Sequence, residues 1–165
     1  MRGAVSSIHI AFAGAAPIIS LVEIQAIAGK GLEGDRYYLK TGTYSKTPGT
    51  GREVTLIEIE AIEALRREYG IDIDAAQSRR NIITRGVALN HFIDREFTAG
   101  EAVLRGTRLC EPCAHLEKLT IKGVMRGLIH RGGLRAEVVR GGTIRVGDII
   151  SIADGDVSQV STACQ

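Results

Sequence analysis

Residues Thr107 to Glu117 read Thr-Arg-Leu-Cys-Glu-Pro-Cys-Ala-His-Leu-Glu and gather two thiols, an imidazole and several charges in one short segment. If Pro112 is the first helical residue, its missing N–H costs nothing there and its φ is already helical. Cys113 then falls in the first turn, where unsatisfied backbone N–H groups and the positive end of the dipole favour thiolate over thiol. That makes Cys113 the candidate nucleophile. Cys110, on the strand side of the proline, is either a packing residue or a partner able to resolve a persulfide or a disulfide. A zinc site built on Cys110, Cys113 and His115 lacks a fourth ligand, because there is no second C-x-x-C and Cys164 sits in the tail. A thioredoxin-like pair calls for a βαβ context that the pattern does not show. The remaining alternative is that both cysteines are small buried hydrophobes.

Three basic clusters could serve an anionic ligand if the fold brought them together. In His130-Arg131-Gly132-Gly133-Leu134-Arg135, glycine lets backbone approach a ligand while arginines offer forked donors; the competing reading is an exposed basic turn. Asp35-Arg36 and Arg79-Arg80-Asn81 are the others, each with solvated surface charge as its alternative. His9, in a predicted strand, and His91, before an apolar cluster, suit structural roles.

Several elements must position these groups. Val5 to Ala11 and Leu21 to Ile27 alternate as strands do, with an Ala/Gly/Pro loop between them. Gly29-Lys30-Gly31-Leu32-Glu33-Gly34 matches G-x-G-x-x-G formally, but no helix follows in time to receive a pyrophosphate, and a second loop comes at Pro48 to Gly51. Thr55 and Glu58 form a capping-box pattern, and Leu56, Ile59, Ile62 and Leu65 make one stripe, so a helix is expected from Thr55 to Tyr69, with Gly70 as its C-cap. Arg79 to Thr84 leads into a short strand, and Leu134 to Val139 alternates as another. Phe97 to Leu104 and Ile144 to Ile150 each read as strand, Gly-acid turn, strand. Between them a helical region is expected from Pro112 to about His130, loosened by Gly123 and Gly127. The sum is a mainly β, barrel-like mixed fold with peripheral helices.

Composition narrows the field. The 165 residues form one expected domain, 1–165, with a loosely ordered tail from about 155, and include 20 glycines, three prolines and no tryptophan. A chain of this size can build a core without disulfide or metal staples. Aromatic residues make up 4% and the net charge is only +2, which argues against nucleic acid, whose bases want stacking faces and whose phosphates want a basic surface. No run of 18 apolar residues offers a membrane span. Ser6, Ser7 and His9 interleave the early apolar stretch as in a strand, so a secretory signal is disfavoured, and with an odd cysteine count a cytoplasmic setting is expected.

Ordered blocks along the chain resemble one family. Gly31-Leu32-Glu33-Gly34-Asp35-Arg36-Tyr37, Arg79-Arg80-Asn81-Ile82 with Gly86-Val87-Ala88-Leu89-Asn90, Cys110-Glu111-Pro112-Cys113 with His115-Leu116-Glu117, Arg131 to Arg135, and Gly142-x-Ile144-x-Val146-Gly147-Asp148 look like the MOSC domain, the molybdenum cofactor sulfurase C-terminal domain. The resemblance implies a barrel-like β fold of the pyruvate-kinase type and one essential cysteine, matching Cys113. That cysteine would carry sulfur from a pyridoxal-phosphate-dependent cysteine desulfurase as a persulfide, or bind molybdenum of the molybdenum cofactor (molybdopterin) as thiolate. Soft thiolate suits both. By the same resemblance Arg80 and Asn81 would lie near the pterin or metal, and Asp35, Arg36, His130, Arg131, Gly132, Gly133 and Arg135 would build the pocket rim.

Cofactor-binding relatives such as the mitochondrial amidoxime-reducing component carry an additional N-terminal barrel that this sequence does not contain, and no ferredoxin-like cysteine cluster is present to deliver electrons. A molybdenum-dependent reductase of N-hydroxylated compounds is therefore an alternative that needs a separate electron donor protein. A binding module that recognises the cofactor, a molybdenum enzyme or another partner without turnover is the third reading. Pyridoxal phosphate would come only with the partner.

Overall fold

The computed structural model describes residues 1–43, 45 and 52–152. The expected loop at Pro48 to Gly51, the tail from about 155 and Cys164 lie outside the described residues.

Eleven strands and four short helices are present among them. The strands are β1 (Arg2–Ile10), β2 (Ile19–Leu21), β3 (Glu23–Ile27), β4 (Gly31–Leu32), β5 (Val54–Glu58), β6 (Ile82–Arg85), β7 (Glu96–Ala99), β8 (Ala102–Leu109), β9 (Leu134–Arg140), β10 (Gly142–Arg145) and β11 (Ile149–Ile152). The helices are α1 (Arg36–Leu39), α2 (Ile59–Tyr69), α3 (Ala114–Leu119) and α4 (Val124–Gly127). Seven strands run in the order β11-β7-β8-β9-β5-β6-β1, and β1 closes on β11 through pairs such as Arg2 with Ser151. Closure removes the exposed edges that an open sheet of this size would have to protect. All neighbours are antiparallel except β5 and β6, which makes the barrel mixed. β2 extends the sheet beyond β1, and β10-β3-β4 form a second, three-stranded sheet.

Two hydrophobic clusters explain this layout. One fills the barrel and includes Val5, Ile8, Leu56, Ile82, Phe92, Phe97, Leu104, Leu134 and Ile150. The second lies outside it, where Ile57 and Ile83 meet Ile62, Leu65, Leu116, Val124 and Leu128. The period of two sends Leu56 and Ile82 inward and their neighbours Ile57 and Ile83 outward, so β5 and β6 are apolar on both faces.

That double burial corrects the helix expected from Thr55. Residues Val54–Glu58 are strand, and the helix begins only at Ile59. The capping-box pattern is not used: Thr55 Oγ1 donates to Asn81 Oδ1, and Glu58 Oε1 accepts from Leu89 N at 2.7 Å. Gly70 is the left-handed C-cap, as expected. A parallel β5-α2-β6 unit also exists where the pattern suggested none, but neither Cys110 nor Cys113 belongs to it. The helical region after Pro112 is two short helices, interrupted by Gly123 at φ +100°. No helix among the described residues is long and apolar enough to cross a membrane.

Candidate functional site

Strand β8 ends at Leu109 and delivers Cys110 to the rim of the barrel, where the chain turns outward into α3. Cys110 is buried, its N–H donating to Gly133 O at 2.7 Å and its carbonyl accepting from Arg80 Nη2 at 3.2 Å. Cys113 is half-buried and rests against the outer hydrophobic cluster. It is the N-cap of α3, with extended φ −130° and ψ 167°, rather than a residue of the first turn. Helix α3 has six residues, so Cys113 owes its electrostatic surroundings to side chains more than to a macrodipole.

Those side chains converge. Cys110, Cys113, Arg36, Arg79, Arg80 and Arg135 line one cleft, together with Tyr37, Thr43, His115 and the Gly14-Ala15 turn. Four arginines from three separate parts of the sequence thus line the cleft that holds the two thiols, and Arg135 interacts electrostatically with both. Two carboxylates are near. Asp35, fully buried, accepts from Ala11 N, Tyr37 N and Arg36 Nη1, and caps α1. Glu111 is exposed and reaches His130 at 3.3 Å.

Arg36, Arg79 and Arg80 are each held by backbone carbonyls, and Arg135 hydrogen-bonds the Tyr37 side chain. Arg36 Nη2 donates to Arg79 O at 2.8 Å, with its guanidinium 4.7 Å from the Tyr37 ring centroid. Arg80 donates to the carbonyls of Gly132, Ser78 and Cys110, tying the approach to β6 to both cysteine-side segments. Arg79 stands in the left-handed region at φ +57°, and its Nη1 donates to Ala16 O at 3.0 Å. Its Nη2 is buried without a hydrogen-bond partner among the described residues. Burial, and then repulsion from Arg36, holds the Arg79 guanidinium below its ordinary value, although Tyr37 and Asp35 oppose this. Burial also disfavours the charge of Arg135, but Cys110, Tyr37 and Cys113 outweigh it and the net direction is upward.

The expected site residues divide. Arg36, Arg80 and Arg135 line the cleft with Cys113. Asp35 lies behind them as a buried organiser of Arg36 rather than on the rim. Asn81 is also fully buried and joins three strands: its Oδ1 accepts from Thr55 N at 3.0 Å, and its Nδ2 donates to His9 O at 3.1 Å. It does not line the cleft. His130 is exposed beside Glu111, and Arg131 turns away to Gly127 O and Glu68. Gly132 and Gly133 serve packing: a Cβ on Gly132 would meet Cys110 O at 2.6 Å, and one on Gly133, at φ +111°, would meet Leu56 O at 1.9 Å. The backbones there are too close for any side chain.

Arg79 was expected in a basic cluster but not as a pocket residue, and neither Tyr37 nor the Gly14-Ala15 turn was assigned a place in the site. The adjacent arginines 79 and 80 were a usable signal, but nothing local tells which of the two faces a cleft. His9 is buried between Ser7 Oγ at 2.8 Å and Ser20 Oγ at 2.9 Å, the structural role expected of it. Among the described residues no three of His, Cys, Asp and Glu are grouped to hold a metal ion, which leaves the zinc reading without a ligand set.

A closed mixed β-barrel with a cysteine-bearing, guanidinium-lined cleft at its rim defines a structural class. The MOSC domain family model matches residues 43–151, and the chain belongs to that family. The fold is similar to the crystal structure of the YuaD protein from Bacillus subtilis (TM-score 0.76, 17% identity, 91% of this chain and 94% of that one). It is also similar to YiiM from Geobacillus stearothermophilus (0.71, 14%, covering 94% and 77%) and YiiM from Escherichia coli (0.66, 20%, covering 99% and 73%). At such identities the likeness is one of fold. No curated protein matches the sequence.

MOSC domains are associated with the molybdenum cofactor. The residues at the cleft fit such a group: a soft sulfur donor at Cys113, several guanidiniums for an anionic ligand, and a buried Arg79 Nη2 in want of an acceptor.

Proposed function

We propose that this protein handles molybdenum-cofactor chemistry through Cys113, which carries sulfur as a persulfide or binds molybdenum as thiolate. The observation that supports this reading best is the convergence of Arg36, Arg79, Arg80 and Arg135 on the cleft that Cys113 lines. A thiol facing cations is more readily ionised, and thiolate is both the nucleophile and the ligand form.

In the carrier reaction the Cys113 thiolate attacks the outer sulfur of a persulfide held by a pyridoxal-phosphate-dependent cysteine desulfurase. The S–S bond of the donor breaks, its electron pair returns to the desulfurase thiolate, and Cys113 keeps the transferred sulfur. Neighbouring guanidiniums then balance the persulfide anion. Cys110, at 2% exposure, is too buried to meet a donor protein first. A bound molybdenum cofactor would supply a redox-active, sulfur-accepting metal. Arg36, Arg79, Arg80 and Arg135 are the residues that would hold its anionic groups, and Cys113 is the one that would ligate the metal.

Incubation with a cysteine desulfurase and cysteine is expected to add one sulfur atom to Cys113, removable by reductant and absent in Cys113→Ala. Equal sulfur on Cys110, or retention in the variant, would exclude the carrier role. Protein produced in a host that makes the cofactor is expected to copurify with molybdenum only if the thiolate acts as ligand, and Cys113→Ala is then expected to lose the metal.

A further inference from the structure

The arginine cluster carries an imbalance that a sulfur-carrying thiol alone does not explain. Asp35 is already shared among Ala11 N, Tyr37 N and Arg36, and Glu111, which also lines the cleft, turns to His130, so neither carboxylate hydrogen-bonds Arg79, although Asp35 favours its charge at longer range. Yet Arg79 is firmly set. Arg36 holds its carbonyl, Ala16 O holds its Nη1, and its backbone is in the left-handed region, a costly conformation for a residue with a Cβ. The result is a buried Nη2 with unused donors, next to a second guanidinium that repels it. A buried donor without an acceptor is costly, the more so on a charged group, and a small dianion beside Arg36 and Arg79 would offset both penalties.

We propose that the Arg36–Arg79 edge of the cleft is an oxyanion subsite, and that with Cys113 in the same cleft it lets the protein take sulfur from an inorganic sulfane oxyanion, of which thiosulfate is the simplest. The inference rests on the reading of Cys113 as a sulfur carrier and adds a small-molecule donor to it. The Cys113 thiolate attacks the outer sulfur of thiosulfate, and a new S–S bond forms at Cys113. The original S–S bond breaks and its electron pair leaves on sulfite, whose charge the guanidiniums balance as it develops. No oxidant or reductant is consumed. With cyanide as acceptor, the outer sulfur departs as thiocyanate and the thiolate is restored.

The test is turnover of thiosulfate with cyanide, followed by sulfite and thiocyanate release. Wild type is expected to form both in equal amounts, with sulfate competing against thiosulfate, and Cys113→Ala to form neither. Arg79→Ala is expected to raise the KM for thiosulfate roughly tenfold or more, and Arg79→Lys to lie between the two. Because Arg79→Ala also loses the tie to Ala16, a measurement on wild type accompanies it: sulfate is expected to slow alkylation of Cys113, and chloride at matched ionic strength to leave it unchanged. Absence of turnover, turnover indifferent to sulfate and Arg79, or equal protection by chloride would each overturn the inference. Desulfurase loading of wild type, run alongside, separates the two readings. Loading without thiosulfate turnover overturns only the oxyanion donor, and turnover without loading overturns only the desulfurase partnership.

Discussion

Asp35 shows how a residue can matter to a site it never enters. Its carboxylate is fully buried and joins the end of β1, the start of α1 and the Arg36 guanidinium, which is 7% exposed. Removing one partner of a buried ion pair leaves the other without compensation, at a typical cost of about 3–5 kcal/mol. Asp35→Asn is accordingly expected to lower unfolding stability by about 3 kcal/mol in a urea titration. It is also expected to change the rate at which Cys113 is alkylated, because Arg36, which it orients, holds the Arg79 carbonyl. Asn81 likewise acts from outside the cleft, in the barrel wall, where its side-chain amide ties β5 at Thr55 N to β1 at His9 O beside the backbone bond from Asn81 N to Thr55 O.

At the scale of elements, the cleft depends on how closely β9 can approach β5. Gly133 sits at φ +111° with Leu56 O at 1.9 Å from where a Cβ would stand, and the next strand residue, Leu134, pairs with Leu56. Gly133→Ala therefore adds a left-handed penalty to a backbone clash. It is expected to cost more than about 3 kcal/mol, seen as a lower urea midpoint and poor soluble yield. The segment from Gly132 to Arg135 thus reaches the cleft through one side chain, Arg135, while its glycines seal the strand contact behind. Helix α2 sits over the outer faces of β5 and β6. Its stripe of Ile59, Ile62 and Leu65 is amphipathic in the ordinary way, but the first residue of the expected stripe, Leu56, belongs to the barrel interior instead.

Across the whole molecule, buried titratable groups set the pH dependence of stability. Burial holds His9 below its ordinary value of 6.5, with Asp74 opposing. Above 6.5 the imidazole is neutral in folded and unfolded chains alike; as the pH falls through 6.5 the unfolded chain binds the proton first, and stability is lost until the folded group also titrates. Burial raises Glu53 and Glu58 above 4.5, so there the folded chain binds protons first and stability rises as the pH falls toward 4.5. Urea midpoints are expected to decline from just above to well below pH 6.5, and His9→Gln to flatten that decline, with a partial recovery from the two glutamates nearer 4.5. A midpoint independent of pH across this range would contradict the buried, neutral imidazole.

The mainly β class, most strand positions and Cys113 as the candidate thiol were legible in the chain because alternation, glycine turns and the Cys-Glu-Pro-Cys segment are local patterns. Local pattern misled where burial is two-sided. Val54 to Ile57 is apolar at every position except Thr55, and read with the following residues it mimics a helical stripe. The basic clusters likewise announced themselves, but not which members face the cleft. Arg80 and Arg135 do, Arg79 adds the unpartnered donor, and Asn81, His130 and Arg131 are turned to the barrel wall or the surface. Residue type and spacing specify what chemistry a side chain can do, whereas its direction follows from closure of the barrel and from contacts between segments distant in sequence. Those long-range contacts bring four arginines into the cleft that Cys113 lines, and no single segment encodes them.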